Sequence, residues 1–338
     1  MTRSIVALRL LMLLAVLVIV LVVAPTMGST SLSIARIFDA SLPRAENPDA
    51  VIFFDLRLPR VLYGAVAGAM LAVAGALTQS VLRNDLATPY TMGISSGAAV
   101  GALLALQFPA LGGAAGAGVA ALIGAFATMV LVLGLARSFT SWEGSSTLIL
   151  IGVTINILLG SVILVIQYLA DPFQTFLMIR WMMGAVDVTN LTQPTIAGCV
   201  LLGVVLAATA MARGLDALQL GDLAAHSLGI VPGRTRLAAL ALAALGTAMV
   251  VSISGPIGFV GLLVPHAMRR LVGRGHGVLI VASAMAGAGF LVASDAVARS
   301  VGGDLEVPVG IVTALVGGPV FLAILLGNER KRSGAASA

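Results

Sequence analysis

The chain has one cysteine, one lysine and three histidines among 338 residues, and Asp, Glu, Lys and Arg together make up only 10% of it. Cys199 cannot close an internal disulfide, and its place in an apolar run predicts a buried thiol without redox or metal chemistry. The lysine, Lys331, stands between Arg330 and Arg332, so there is no G-x-x-x-x-G-K-[ST] phosphate cradle and ATP is not bound in that way. His226, His266 and His276 are too scattered for a zinc site, since none has a second histidine four residues away. The pairing of groups that covalent catalysis needs is missing as well. The sequence therefore assigns no catalytic residue, no metal and no cofactor, and reads as a non-enzyme.

Charge is also missing where an ion-coupled carrier would hold it. Such carriers place costly carboxylates at mid-membrane, whereas every acid here lies at the end of an apolar segment or between two. What is abundant is apolar: 59% of residues are hydrophobic and the mean hydropathy is +1.09, against roughly a quarter charged in soluble domains. Lipid is the solvent for most of this chain. The isoelectric point of 10.3 does not point to nucleic acid, because the arginines are dispersed between apolar runs instead of forming a patch.

Segments free of Asp, Glu, Lys and Arg run over residues 10–35, 61–82, 86–136, 144–170, 188–212, 237–268, 275–294 and 307–328. A bilayer core takes about 20 helical residues. The first run is too long for a signal-peptide core and lacks a clear A-x-A site, so it is expected to be a retained span. Residues 86–136 would reach roughly 76 Å as one helix and must fold back near "QFPALGGAAGAG", residues 107–118. One helix through 237–268 would put Arg234 and Arg236 opposite Arg269, Arg270 and Arg274, against the positive-inside rule. Breaking it at Gly255-Pro256 gives two short passes and ten spans in all. Both termini then lie inside with Arg3, Arg9, Arg83, Arg137, Arg213, Arg234, Arg236, Arg269, Arg270, Arg274, Arg330, Lys331 and Arg332, 13 of the 19 basic residues. With 5 acids inside (Asp85, Glu143, Asp216, Asp222, Glu329) and 9 outside, the two sides net 13 − 5 = +8 and 6 − 9 = −3. The fold class is all-α and polytopic, a single transmembrane domain over residues 1–338.

Within the spans, Gly64 and Gly68 stand four apart and suit close helix approach. Thr154, Ser161 and Tyr168 recur every seven residues and keep to one helix face. Lining a permeation path and hydrogen bonding between helices are equal readings of that face. One inner loop stands apart. Residues 213–236 hold a short helical stretch, Asp222–Leu228, between Gly221 and Gly229, and so short a helix needs a surface to bury its apolar side.

Six blocks in order then carry a resemblance: residues 56–98, "RWMMGA" at 180–185, "LQLGDLAAHSLG" at 218–229, "GPIGFVGLLVPHAMRRLVG" at 255–273, "SDAVARS" at 294–300 and "EVPVGIVTALVGGPVFLAILL" at 306–326. The chain resembles the FecCD family, permease subunits of bacterial ABC importers for ferric siderophores, haem and cobalamin. The resemblance implies a type II importer fold of ten helices in the bacterial inner membrane. It implies a second permease subunit, as homodimer or heterodimer, cytoplasmic ATPase subunits and a periplasmic or lipid-anchored substrate-binding protein. The cargo it implies is a metal chelate: a ferric siderophore first, cobalamin or haem as alternatives. By the same resemblance Leu220, Gly221, Asp222, Ala224, Ala225, His226, Leu228 and Gly229 seat against the ATPase, Asn84 and Leu86 narrow the cytoplasmic gate, and Arg57, Arg60 and Arg299 receive acidic groups of the binding protein. From the residues alone, Arg57 and Arg60 read equally as interfacial anchors, and Arg299 as a partner of Asp295 four residues before it. The chain departs from the family pattern at Asp85, in place of proline, at Thr88, in place of an acid, and at His226, where arginine is common.

Overall fold

The computed structural model describes residues 3–39, 43–137, 145–188, 190–301 and 306–336. Of the charges counted above, Glu143 and Asp304 and the side chains of Arg3, Arg137, Glu329, Arg330, Lys331 and Arg332 lie outside the described residues. Ten helices answer to the ten expected spans: α1 (Arg3–Val23), α2 (Leu58–Val81), α3 (Ile94–Gln107), α4 (Gly113–Arg137), α5 (Ser145–Leu169), α6 (Thr192–Ala210), α7 (Pro232–Ser254), α8 (Val260–Val272), α9 (His276–Val301) and α10 (Val309–Ala336). Seven of these, counting α2 from Pro48, are long and apolar enough to cross a membrane, and α3 and α10 carry shorter apolar stretches. The protein is a multi-pass membrane protein.

The fold-back falls between Gln107 and Gly113, as expected. The break at Gly255-Pro256 is also present, but it does not make two short passes. Starting at Pro232, α7 is a full 23 residues, and only α8, with 13, is short. Gly255 takes φ 67°, which favours glycine, and the Ser254 carbonyl at the end of α7 accepts from Ala185 N–H at 2.8 Å. The Tyr90 hydroxyl lies 2.8 Å from Ile257 N and 2.6 Å from Ile257 O, bridging the interrupted backbone. Inside α8, Pro265 leaves Gly261 O without its helical donor, and the Gln79 side-chain amide reaches Gly261 O and, at 3.1 Å, Leu262 O.

The core forms around α2, which is buried from Ala67 through Leu82. Such a helix has no solvated face, so its surroundings are other helices, chiefly α9, α7 and α8. Gly68 sets one approach: a Cβ there would lie 2.2 Å from Gly287 O of α9, and one on Gly287 would lie 2.3 Å from Gly68 O. Gly64 has only an ordinary 3.6 Å contact with Val292, so of that pair Gly68 makes the close crossing. Cys199, expected to be buried, is exposed on α6. Neighbouring helices cover only part of an apolar helix, and Cys199 falls on an uncovered side of α6.

Candidate functional site

At one end of the bundle the three arginines singled out from sequence come together, but not as a free cationic surface. Arg57 is 7% exposed and donates to Pro25 O (3.2 Å) and Thr30 O (2.7 Å), in the segment after α1. Arg299 is 5% exposed and donates to Ala24 O and Met27 O in the same segment and, through Nε at 3.0 Å, to Asp295. Arg60 completes the group by pairing with Asp295 at 3.0 Å and Glu306 at 2.6 Å. All three side chains are mostly buried and already bonded within the chain. Free carbonyls past the end of α1 and the buried Asp295 draw the guanidinium groups inward, because a carboxylate out of water needs cationic partners. Asp295 itself corrects the placement of acids at span ends, since α9 continues six residues beyond it to Val301. A cavity of about 430 Å³ remains at this mouth, lined by Arg57, Arg60, Arg299, Glu306 and Asp187.

The opposite end gathers the arginines assigned to the inner side. Arg9 donates to Leu271 O, Arg269 pairs with Asp85, and Arg83 and Arg236 both pair with Asp222. The turn after α2 carries Asn84 and Leu86. Asn84 Oδ1 accepts from Leu86 N–H at 2.9 Å, and both residues line a polar cavity of about 470 Å³ with Gln79, Arg269, Arg274 and His276. Asp85 lies 3.0 Å from Arg269 Nη1 and 3.6 Å from His266 Nδ1, so an ion pair to α8 restrains this backbone. Thr88 caps the next turn, its Oγ1 accepting from Thr91 N–H at 3.3 Å while Thr91 Oγ1 accepts from Thr88 N–H at 3.2 Å.

The short inner helix is present as Asp222–Ser227, following Ala212–Gln219. Its two faces differ in burial. Ala225 is fully buried, whereas Leu223 is 87% exposed and Leu220, His226, Leu228 and Gly229 are also exposed. Gly221 and Ala224 are half-buried. Leu223 was not among the residues expected to seat against the ATPase, and nothing in the apolar spacing of this segment separates it from Ala224 and Ala225. The turn of the helix decides, since Asp222 and Ala225, three apart, share the inward face.

Thr154, Ser161 and Tyr168 do keep to one face of α5, and that face points away from the rest of the chain, with Tyr168 88% exposed. Thr154 and Ser161 donate to their own helix, at Leu150 O (2.9 Å) and Ile157 O (3.2 Å), so they make no bond between helices. That work is done by Ser96 and Asn156, which bond between α3 and α5. A cavity of about 650 Å³ lies elsewhere, between Trp181, Asp187, Gly118 and Ser252. A path using the α5 face needs a second chain across from it.

A profile of the FecCD transport family matches residues 14–327. The hemin transport system permease protein HmuU of Yersinia pestis is 37% identical, over 95% of this chain and 96% of its own. The cobalamin import system permease protein BtuC of Halobacterium salinarum is 40% identical, over 82% of this chain and 74% of its own. A solved structure described as a metal-chelate type ABC transporter in an inward-facing conformation aligns with TM-score 0.81 at 29% identity, covering 95% of this chain and 99% of that one.

Proposed function

The chain belongs to the FecCD transport family, and from that premise we propose that it is the permease subunit of an ATP-driven importer of a metal chelate. The observation that carries this reading is that the family profile spans eight of the ten helices entirely and parts of α1 and α10, with the short inner helix between α6 and α7. ATP hydrolysis belongs to separate subunits seated on residues 213–236, where Leu220, Leu223 and Leu228 offer an apolar surface. The single permease domain lies in a bacterial inner membrane with both termini cytoplasmic, so that the end holding Arg83, Arg236 and Arg269 faces the cytoplasm. A second permease subunit covers the outward face of α5, and the cargo passes between the two. Asn84 and Leu86 form part of the inner gate.

At the outer mouth, acidic groups of a substrate-binding protein meet the potential of Arg57, Arg60 and Arg299 through the cavity they line. Because these side chains are already bonded within the chain, they contribute to steering more than to contact energy. Ferric siderophore, hemin and cobalamin are the three cargo classes to separate, the last two being those named for the relatives.

The test is ATPase stimulation of the purified complex by binding proteins loaded with each of the three chelates. One loaded protein is expected to stimulate and its empty form to do so less. Uptake that continues with ATP hydrolysis blocked would overturn the reading in favour of an ion-coupled carrier.

A further inference from the structure

We propose that the Asp222 carboxylate is the joint through which the short inner helix moves the turn carrying Asn84 and Leu86. The inference rests on the reading of residues 213–236 as the ATPase-docking loop and adds the route from the docked helix to the gate. One oxygen, Oδ1, accepts from Arg83 Nη2 and from Arg236 Nη2, each at 2.7 Å. The donors come from different elements: Arg83 directly precedes Asn84 in the turn after α2, and Arg236, 5% exposed, lies near the start of α7. With one acceptor atom shared, the first residue of the inner helix cannot shift beyond the slack of a hydrogen bond without moving a donor or breaking from it.

The backbone at Arg83 supports the same role. α2 closes with Asn84 N–H on Gln79 O and Arg83 N–H on Ser80 O, a motif whose left-handed residue is usually glycine. Here that residue is arginine, with φ 46°. A side chain is retained where the backbone favours none, and its guanidinium reaches Leu218 O and Asp222. The neighbouring bridges fasten the base of the loop instead. Gln219 Nε2 donates to Ser80 O at 2.9 Å, and His276 lies 2.6 Å from Asp216 Oδ1 and 2.7 Å from Ser80 Oγ. Among the described residues, Arg83 to Asp222 is the side-chain ion pair between the inner helix itself and the gate turn.

The experiment uses the complex with its ATPase in a Cys199→Ser background, with Leu86→Cys as the reporter, since Leu86 is 49% exposed. Its labelling rate by a water-soluble maleimide is compared without nucleotide and after trapping with ATP and vanadate. A change of at least about fivefold is expected in this parent. Adding Arg83→Gly, which suits the backbone and removes the side chain, is expected to cut the change below about twofold while the ATPase still copurifies. Arg83→Lys should restore part of it, and Arg36→Gln, an exposed arginine far from the loop, should leave it intact. Persistence of the full change in Arg83→Gly would overturn the joint, as would an equal loss in Arg36→Gln or loss of the ATPase from Arg83→Gly alone. A parent that fails to retain the ATPase, or whose labelling ignores nucleotide, would overturn the docking and gate reading beneath it.

Discussion

At the outer end Asp295 holds Arg60 and Arg299 almost out of solvent, with side chains 2%, 11% and 5% exposed. At the inner end Asp222 holds Arg83 and Arg236, with a quarter of its own side chain in solvent. Both are one carboxylate between two arginines. The outer group ties three separate stretches, the segment after α1, α2 and α9; Arg299 spends its other donors on backbone carbonyls, and Arg60 also pairs with Glu306. Removing Asp295 strands a buried charge. The inner group sits where loops meet, and its most exposed member, Arg83, is 37% exposed. The same pairing is thus nearly dry at one end and partly solvated at the other, with burial as the difference.

The largest effect should come from breaking the outer group. Asp295→Asn takes the carboxylate from buried Arg299 and leaves Arg60 only the more exposed Glu306, and is expected to cost about 3–5 kcal/mol, read as a lower unfolding midpoint of the detergent-purified protein. A midpoint within error of the parent would make the outer cluster no more structural than the inner one. Next, Ala225→Arg forces a long side chain into the fully buried underside of the inner helix. A destabilisation of about 1–3 kcal/mol, visible as faster proteolysis within residues 213–236, is expected.

A smaller change separates fastening from docking. Leu223→Asp alters the most exposed apolar residue of the inner helix. It is expected to weaken ATPase association about tenfold, about 1.4 kcal/mol, without shifting the unfolding midpoint. If Ala225→Arg and Leu223→Asp behaved alike, the inward and outward faces would have no separate roles. The smallest perturbation tests which end is which: with Cys199→Ser as background, Gly233→Cys and Gly275→Cys should both be labelled only from the cytoplasmic side of inside-out vesicles. Labelling of either from the opposite face would remove the break between α7 and α8 from the topology.

Much of this plan was legible beforehand because its signals are one-dimensional. Charge-free length gave the spans, the distribution of arginines gave the break at Gly255-Pro256, and paired glycines bracketed the inner helix at Asp222. The ion pairs at the two ends were not legible in the same way. Arg60 and Asp295 are 235 positions apart, and no local pattern joins them. The pairing of Arg299 with Asp295 was readable because it falls four residues apart on one helix.

Sequence by itself determined the all-helical plan, the fold-back after Gln107 and the break at Gly255-Pro256. Tertiary structure alone decided which way side chains face: Cys199 outward, Ala225 inward, Thr154, Ser161 and Tyr168 away from the chain, and Arg57 and Arg299 into the fold. The physical reason is the solvent. In water a buried face and a wet face differ in polarity, and periodicity records the difference. In lipid both faces of a helix are apolar, so composition fixes the length of a span and leaves its facing to packing with its neighbours.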